Sequence, residues 1–280
     1  MQRLVLIFYG HLKEFTAFWR IEMINRYLFH PQLTNAVSNN MAADHTVLKK
    51  PFPLTLRRAA QTLLLPFAIC FSLSACASEA NIVLPQPMVN EAVKGNHEVI
   101  VFSGGCFWGV QGVFQHVKGV TQATSGYVGG SAATARYSSV VNGDTGHAES
   151  VKVEFDPSKV SLGELLRIYF SVVHDPTQLN AQGPDTGTQY RSAIWYSSSA
   201  QQKVAQAYIG QLNKAKIFNT GIVTQVNPLQ KFYPAESYHQ NYLTLHPNSM
   251  YIAINDMPKV ASLKRLYPSD YRVKPVLVEH

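Results

Sequence analysis

Downstream of about residue 97 the sequence predicts a single α+β domain, and three observations carry that prediction. Short apolar runs near 98–102, 149–155, 191–196 and 223–226 have the length and the β-branched or aromatic character of strands. Between them, 106–117, 162–173 and 200–215 repeat apolar residues at helical spacing. No low-complexity tract or internal repeat breaks this mixture, which excludes solenoid and disordered architectures. At 280 residues and 46% hydrophobic, the chain can also bury a sizeable core.

The elements follow from residue order. Glu98 to Phe102 is an apolar run closed by Ser103-Gly104-Gly105. Phe107, Val110, Val113, Phe114 and Val117 then fall on one helical face, and Gly119 ends the pattern. Val151, Val153 and Phe155 alternate like a half-buried strand, and Leu165, Leu166, Tyr169 and Phe170 share a helix face. Arg191 to Tyr196 reads as a strand, followed by a Ser-rich cap and a helix from about Ala200 to Ala215. From Pro228 on, the chain is rich in Tyr, Pro and His, and it reads as irregular as far as residue 275.

Upstream the texture differs. Residues 1–58 form an extension and a positive region, with Lys49, Lys50, Arg57 and Arg58 at its end. Residues 59–75 carry no charge, and Leu73-Ser74-Ala75-Cys76 closes the apolar stretch 59–76 like a bacterial lipobox, with Cys76 as the lipidated residue. Met41 would begin a more ordinary secretory signal, so 1–40 read as a mis-assigned start or an unusual extension. A transmembrane anchor fits less well, because the apolar run is short and holds Pro66. Residues 77–96, with Pro85, Pro87 and Gly95, read as a linker. The signal predicts a lipid-anchored domain on the bacterial cell envelope, facing the periplasm; without it the domain is cytoplasmic.

Charge is uneven. The first 76 residues hold eight of the 24 Lys and Arg and three of the 17 Asp and Glu, which leaves 16 bases against 14 acids in the remainder. A near-neutral domain with no recognition motif excludes a nucleic-acid partner. The three cysteines are Cys70, Cys76 and Cys106, and only Cys106 lies in the globular part, so no disulfide framework is predicted. The dispersed histidines show no metal-binding spacing, so no metal is expected.

Cys106 follows a strand that ends in two glycines and opens a helix. Unpaired N–H groups and the helix dipole favour an anion there, which predicts a lowered thiol pKa and a reactive thiolate. A single cysteine in that position is as often inert as reactive, and its neighbours Gly104-Gly105 and Phe107-Trp108-Gly109 tilt the reading towards function.

Gly105-Cys106-Phe107-Trp108-Gly109 resembles the signature of the type A peptide methionine sulfoxide reductases. The resemblance extends through Ser125 to Gly130, Tyr137, Gly143 to Glu149, His174 to Gln178, Gly183 to Ser192, Phe232 to Gln240 and the stretch from Pro247 to Arg272. Several motifs in one order over about 97–272 make it specific. It implies a two-layer α/β sandwich, a mixed sheet with a ferredoxin-like βαβ core.

The resemblance also implies roles. Cys106 attacks the sulfur of a methionine S-sulfoxide and is left as a sulfenic acid, and Glu149 is the proton donor. Tyr137 and Tyr190 bond the sulfoxide oxygen, Phe107 and Trp108 hold the substrate methyl group, and Asp185 assists regeneration of the thiol. Taken singly, Glu149 reads equally as a solvated strand-end acid, the tyrosines as half-buried packing and Asp185 as a turn residue. The family implies no bound cofactor, an external thiol reductant such as thioredoxin (dithiothreitol in vitro), and oxidised proteins, peptides and free methionine sulfoxide as substrates. Many relatives carry a resolving cysteine near the C-terminus, whereas residues 271–280 hold none. A one-cysteine enzyme, monomeric and recycled from outside, is therefore expected.

Two other readings remain open at this level. Cys106 with His147 or His174 and an acid could form a hydrolase triad. A tethered domain with an aromatic groove could also be a non-enzymatic binding lipoprotein.

Overall fold

The computed structural model describes residues 81–93 and 95–279. The expected signal with Cys76, and the start of the expected linker, lie outside the described residues. Within them no helix is long and apolar enough to cross a membrane.

β1 (Glu98–Ser103) lies inside a six-stranded mixed sheet because its residues 100–103 are buried on both faces. It pairs antiparallel with β3 (Ala148–Phe155), from Glu98 opposite Phe155 to Phe102 opposite Val151. On its other side it pairs antiparallel with β6 (Ala193–Tyr196). β2 (Val120–Val128) pairs with β3, so β1–α1–β2, with α1 spanning Phe107–Gln115, is a βαβ unit split by an intervening strand. The full order is β7-β6-β1-β3-β2-β8, with β7 (Gln225–Pro228) parallel to β6 and the short β8 (Tyr233–Pro234) on the far edge. The inner order β6-β1-β3-β2 is the ferredoxin-like core within an α+β fold.

Helices cover one face. Phe102 of β1 stacks on Phe114 of α1 at 5.0 Å and on Tyr169 at 4.7 Å, at the centre of the main core. Burying each such ring contributes about 1.5–3 kcal/mol, and Phe114→Ala would cost about 3–5 kcal/mol. The opposite face carries a smaller cluster of Val101, Val128, Ala148, Ala193 and Trp195, roofed by Leu229 and Phe232.

Several elements depart from the sequence reading. β2 was not predicted, because Thr121 to Gly126 has no apolar alternation. The helix expected over 162–173 is α3 (Leu162–Ile168), capped by Ser161 Oγ, and then widens into a π turn over Tyr169–Val173. That turn lets the Tyr169 hydroxyl reach Ser103 O at 2.6 Å. α4 (Ser199–Lys214) starts on a Ser198 cap, close to its expected bounds.

The C-terminal part is less irregular than it reads. A short helix (Tyr242–Leu245), a π turn (Ile252–Asp256) and a ten-residue helix (Met257–Leu266) bury Leu243, Ile252, Val260 and Leu263. Pro258 sits in the first turn of the last helix, where a missing N–H leaves no bond unmade.

The described part of the linker is also not free. Residues 81–93 have no regular structure, but Leu84 is buried and its carbonyl accepts from Arg167 Nε at 2.7 Å. Tyr208 OH donates to Pro85 O at 2.8 Å, and Asn90 Oδ1 accepts from Gly163 N at 3.2 Å. Side chains on the two helices satisfy the backbone that a tether would leave to water.

Candidate active site

The site begins with the turn out of β1. Gly105 has φ +90°, and a Cβ there would lie 2.6 Å from Gln182 Cγ, so glycine is required on both counts. Cys106 follows as the residue capping α1 and is 8% exposed. The expected lowering of its pKa does not occur. Burial pushes the thiol well above its ordinary value, the nearby Glu149, Asp256 and Asp185 carboxyls push the same way, and the Trp108 backbone N–H only partly opposes them. The helix end offers a favourable field, but three acids and the loss of water outweigh it.

Glu149 on β3 is buried, and its Oε2 accepts the Phe107 N–H at 3.0 Å. One backbone donor does not offset the desolvation, and the carboxyl is pushed up to about 8. Glu149 is therefore mainly a neutral acid at pH 7, set beside the first turn of the nucleophile's helix. Tyr137 opens the short α2 (Tyr137–Val140), and Tyr190 ends a 3₁₀ turn (Thr188–Tyr190). The Arg191 guanidinium anchors that turn by donating to Gly146 O, His147 O and Thr188 O at 2.7–3.2 Å. Burial, together with Glu149, Cys106 and Asp185, raises both phenols, so each stays a protonated donor. Asp185, on β5 (Asp185–Thr186) of the hairpin it forms with β4 (Ala181–Gln182), accepts from the Tyr251 hydroxyl, and burial raises it too. The five residues expected to be catalytic thus lie within electrostatic reach of one another.

Aromatic rings frame the thiol. Trp108 stacks on Tyr242 at 3.8 Å and meets the edge of Tyr251. Phe107 packs against His239 at 5.1 Å and Tyr127 at 5.8 Å. The indole N–H of Trp108 donates to His239 Nδ1 at 3.2 Å. An indole can only donate, so Nδ1 must accept and the proton of neutral His239 sits on Nε2. That Nε2 is buried with no partner, and the ring lies 4.5 Å from Tyr137. Glu236 ties the same wall together, accepting from Tyr127 OH and from Tyr137 N, both at 2.9 Å.

Sequence reasoning assigned no role to Tyr251, His239, Glu236, Asp256 or Lys259, which come from the segment after β8. Glu236 and His239 fall inside a motif already noted, and the i, i+3 spacing of Asp256 and Lys259 was a visible signal.

The histidines named for a hydrolase triad are committed elsewhere. His174 bonds Ser192 Oγ at 2.7 Å and Tyr169 O at 3.2 Å, and burial lowers it to about 3. His147 bonds Ser131 O and accepts from Gly130 N. Among the described residues no group of His, Cys, Asp or Glu is placed to hold a metal ion.

Comparisons with known proteins agree with this chemistry. The sequence profile described as "Peptide methionine sulfoxide reductase" matches residues 98–270. A protein named peptide methionine sulfoxide reductase MsrA 2 from Mesorhizobium japonicum is 57% identical over 190 residues, which is 68% of this chain and 97% of that one. A second, from a Synechocystis species, is 47% identical over 189 residues, 66% of this chain and 88% of that one. The crystal structure of reduced Mxr1 from Saccharomyces cerevisiae is 32% identical and covers 57% of this chain and 93% of that one, with a TM-score of 0.50. A buried thiol beside a neutral carboxylic acid and two phenols, on a sequence matched from the first strand to the last helix, leaves one conclusion: the chain belongs to the peptide methionine sulfoxide reductase family.

Proposed function

We propose that Cys106 reduces the S epimer of methionine sulfoxide, free or in oxidised proteins, and that Glu149 supplies the proton. The observation that carries this reading is the buried Glu149 carboxyl, pushed up to about 8 and held by the Phe107 N–H at 3.0 Å. A sulfoxide oxygen leaves sulfur only once it is protonated, and a neutral acid at that place can protonate it. Tyr137 and Tyr190 hold the oxygen as it gains charge, while Phe107 and Trp108 receive the methyl group.

The step balances. The Cys106 sulfur bonds to the sulfoxide sulfur, the S–O bond breaks as the oxygen passes to the cysteine, and the S–S bond then breaks to release the thioether. Thiol and sulfoxide become sulfenic acid and thioether; Cys106 is oxidised by two electrons and the substrate reduced by two. An external thiol then displaces water from the sulfenic acid to give a mixed disulfide, and a second thiol releases Cys106. Cys106 is the only cysteine among the described residues, which supports a recycling thiol from outside, of thioredoxin-like or low-molecular-weight type. Asp185, linked to Tyr251, is suited to that second stage. We place the enzyme, as a monomer, on the cell envelope through lipidated Cys76, on the strength of the sequence 59–76.

The test is consumption of methionine S-sulfoxide with dithiothreitol. The native chain is expected to turn over and Cys106→Ser to fall by roughly 10³-fold or more. Turnover in the serine variant, or none in the native chain, contradicts the proposal. Palmitate labelling that is lost in Cys76→Ser checks the anchor, and unlabelled protein overturns it.

A further inference from the structure

An ion pair is buried against the nucleophile's helix, and the reductive step as described makes no use of it. Asp256 ends the π turn, Lys259 lies one turn on, and their side chains meet at 3.2 Å. Asp256 is 0% exposed and Lys259 5%, and Asp256 Oδ2 has no hydrogen-bond partner. The pair sits where a side chain of Gly109 would be. A Cβ at Gly109 would fall 2.7 Å from Asp256 Cγ and 3.1 Å from Lys259 Nζ. This explains why the residue is glycine, for any larger residue would displace the carboxylate.

Cys106 caps α1 and Gly109 is the third residue of its first turn, so the pair packs against the same end of the helix as the thiol. The carboxylate therefore lies roughly one turn from the thiol, in a dry environment where charges interact strongly. Taking two charges out of water costs several kcal/mol for each ion, and a buried pair is seldom retained for stability alone.

We propose that the Asp256–Lys259 pair is a positioning device for the nucleophile. Its carboxylate opposes the favourable field of the helix end and keeps resting Cys106 as a thiol, while Lys259 limits that opposition so that the thiolate stays reachable. The other groups facing the thiol are Glu149 from β3, Asp185 from the hairpin, and the phenols Tyr137, Tyr190 and Tyr251. Burial disfavours the thiolate most, and Asp256 adds to it, in keeping with this arrangement. A resting thiol reacts slowly with stray oxidants and alkylating agents, so the site stays intact until its substrate arrives.

The inference rests on Cys106 being the nucleophile, and its test does not require turnover. The full-length chain is treated with iodoacetamide across a range of pH, and alkylation at Cys106 is followed by peptide mass spectrometry. Asp256→Asn leaves Lys259 without its carboxylate. It is expected to move the midpoint of the alkylation profile down by about one pH unit, so that alkylation near neutrality is about tenfold faster. Lys259→Met leaves the carboxylate uncompensated, and its midpoint is expected to stay or to rise. A structural role alone would lower the melting temperature of both variants and leave both midpoints in place, or move them together. Either result overturns the proposal. Should Asp256→Asn fail to fold, a downward shift in Lys259→Met decides against it. Loss of sulfoxide reduction with the opposed shifts intact would count against the reductase reading alone.

Discussion

The two ends of α1 are built in opposite ways. At the N-terminal end Cys106, Glu149, Asp185 and Asp256 gather, and each is raised above its ordinary pKa, first of all by burial. At the C-terminal end the partners are neutral amides. Gln111 Nε2 donates to Ala123 O at 3.0 Å and to Gln240 Oε1 at 2.8 Å, while its Oε1 accepts from Asn241 N. Gln115 Nε2 donates to Asn241 Oδ1, and Asn241 in turn clasps the backbone of Val278. The last carbonyls of the helix, at Gln115 and His116, accept from Val276 N and Arg272 N. One end is fixed by neutral amides, with Gln115 Oε1 alone among these groups left without a partner, while the other gathers buried acids. Stability and chemistry are thus divided along a single nine-residue helix.

Changing the reactive end should alter activity strongly and stability in an unusual direction. Glu149→Gln is expected to slow the reductive step by about 10²–10⁴-fold, measured as single-turnover release of methionine. Its effect on stability follows from the sign of the shift. The folded value of about 8 lies above the ordinary 4.5, so the folded state holds the extra proton between those limits. The stability linked to that proton is full below pH 4.5 and is lost as pH rises through 8. Glutamine has no such proton to lose. Thermal melts at pH 9 should therefore find the variant a few degrees more stable than the native chain, with the gap closing below pH 5. A variant less stable at high pH would show that Glu149 is not held neutral.

Changing the satisfied end should have the reverse effect. Gln111→Leu strands Asn241 N and part of Gln240, at about 2–4 kcal/mol, lowering the melting temperature by roughly 5–12 °C. The turnover of the folded fraction should stay within about twofold. A smaller effect is expected from deleting 273–280, which removes the bonds of Val276 and Val278. That truncation should cost about 1–2 kcal/mol in denaturant melts and leave activity unchanged. Loss of activity in either variant without loss of stability would break the division between the two ends.

The same division separates what could be read in the sequence from what could not. The reactive end is written locally: Gly104 to Trp108 announces strand, turn and helix in five residues, and the apolar spacing of α1 picks out Phe107, Val110, Val113 and Phe114 in the main core, although the helix is buried nearly all round. The supporting structure is not local. β2 carries Thr, Gln and Ser yet is buried between β3 and β8, because strand pairing rather than side-chain polarity places it. The amide network joins residues more than a hundred positions apart, and nothing around Gln111 points to Gln240. Asp256 reaches the nucleophile's helix only because a π turn and a glycine bring two distant helices together. The direction of the thiol pKa shift was missed for that reason. The helix end is visible in the sequence, while the burial that outvotes it, and the acids that add to it, come from other elements.

The central claim is that Cys106 alone takes the oxygen of a sulfoxide and has no resolving partner among the described residues. Mass spectrometry after one equivalent of methionine S-sulfoxide, with no reductant present, tests it most directly. The account predicts one added oxygen on the Cys106 peptide, trapped as an adduct by a sulfenic-acid reagent, together with one equivalent of methionine. An unmodified Cys106, or an intramolecular disulfide that includes it, would contradict the account.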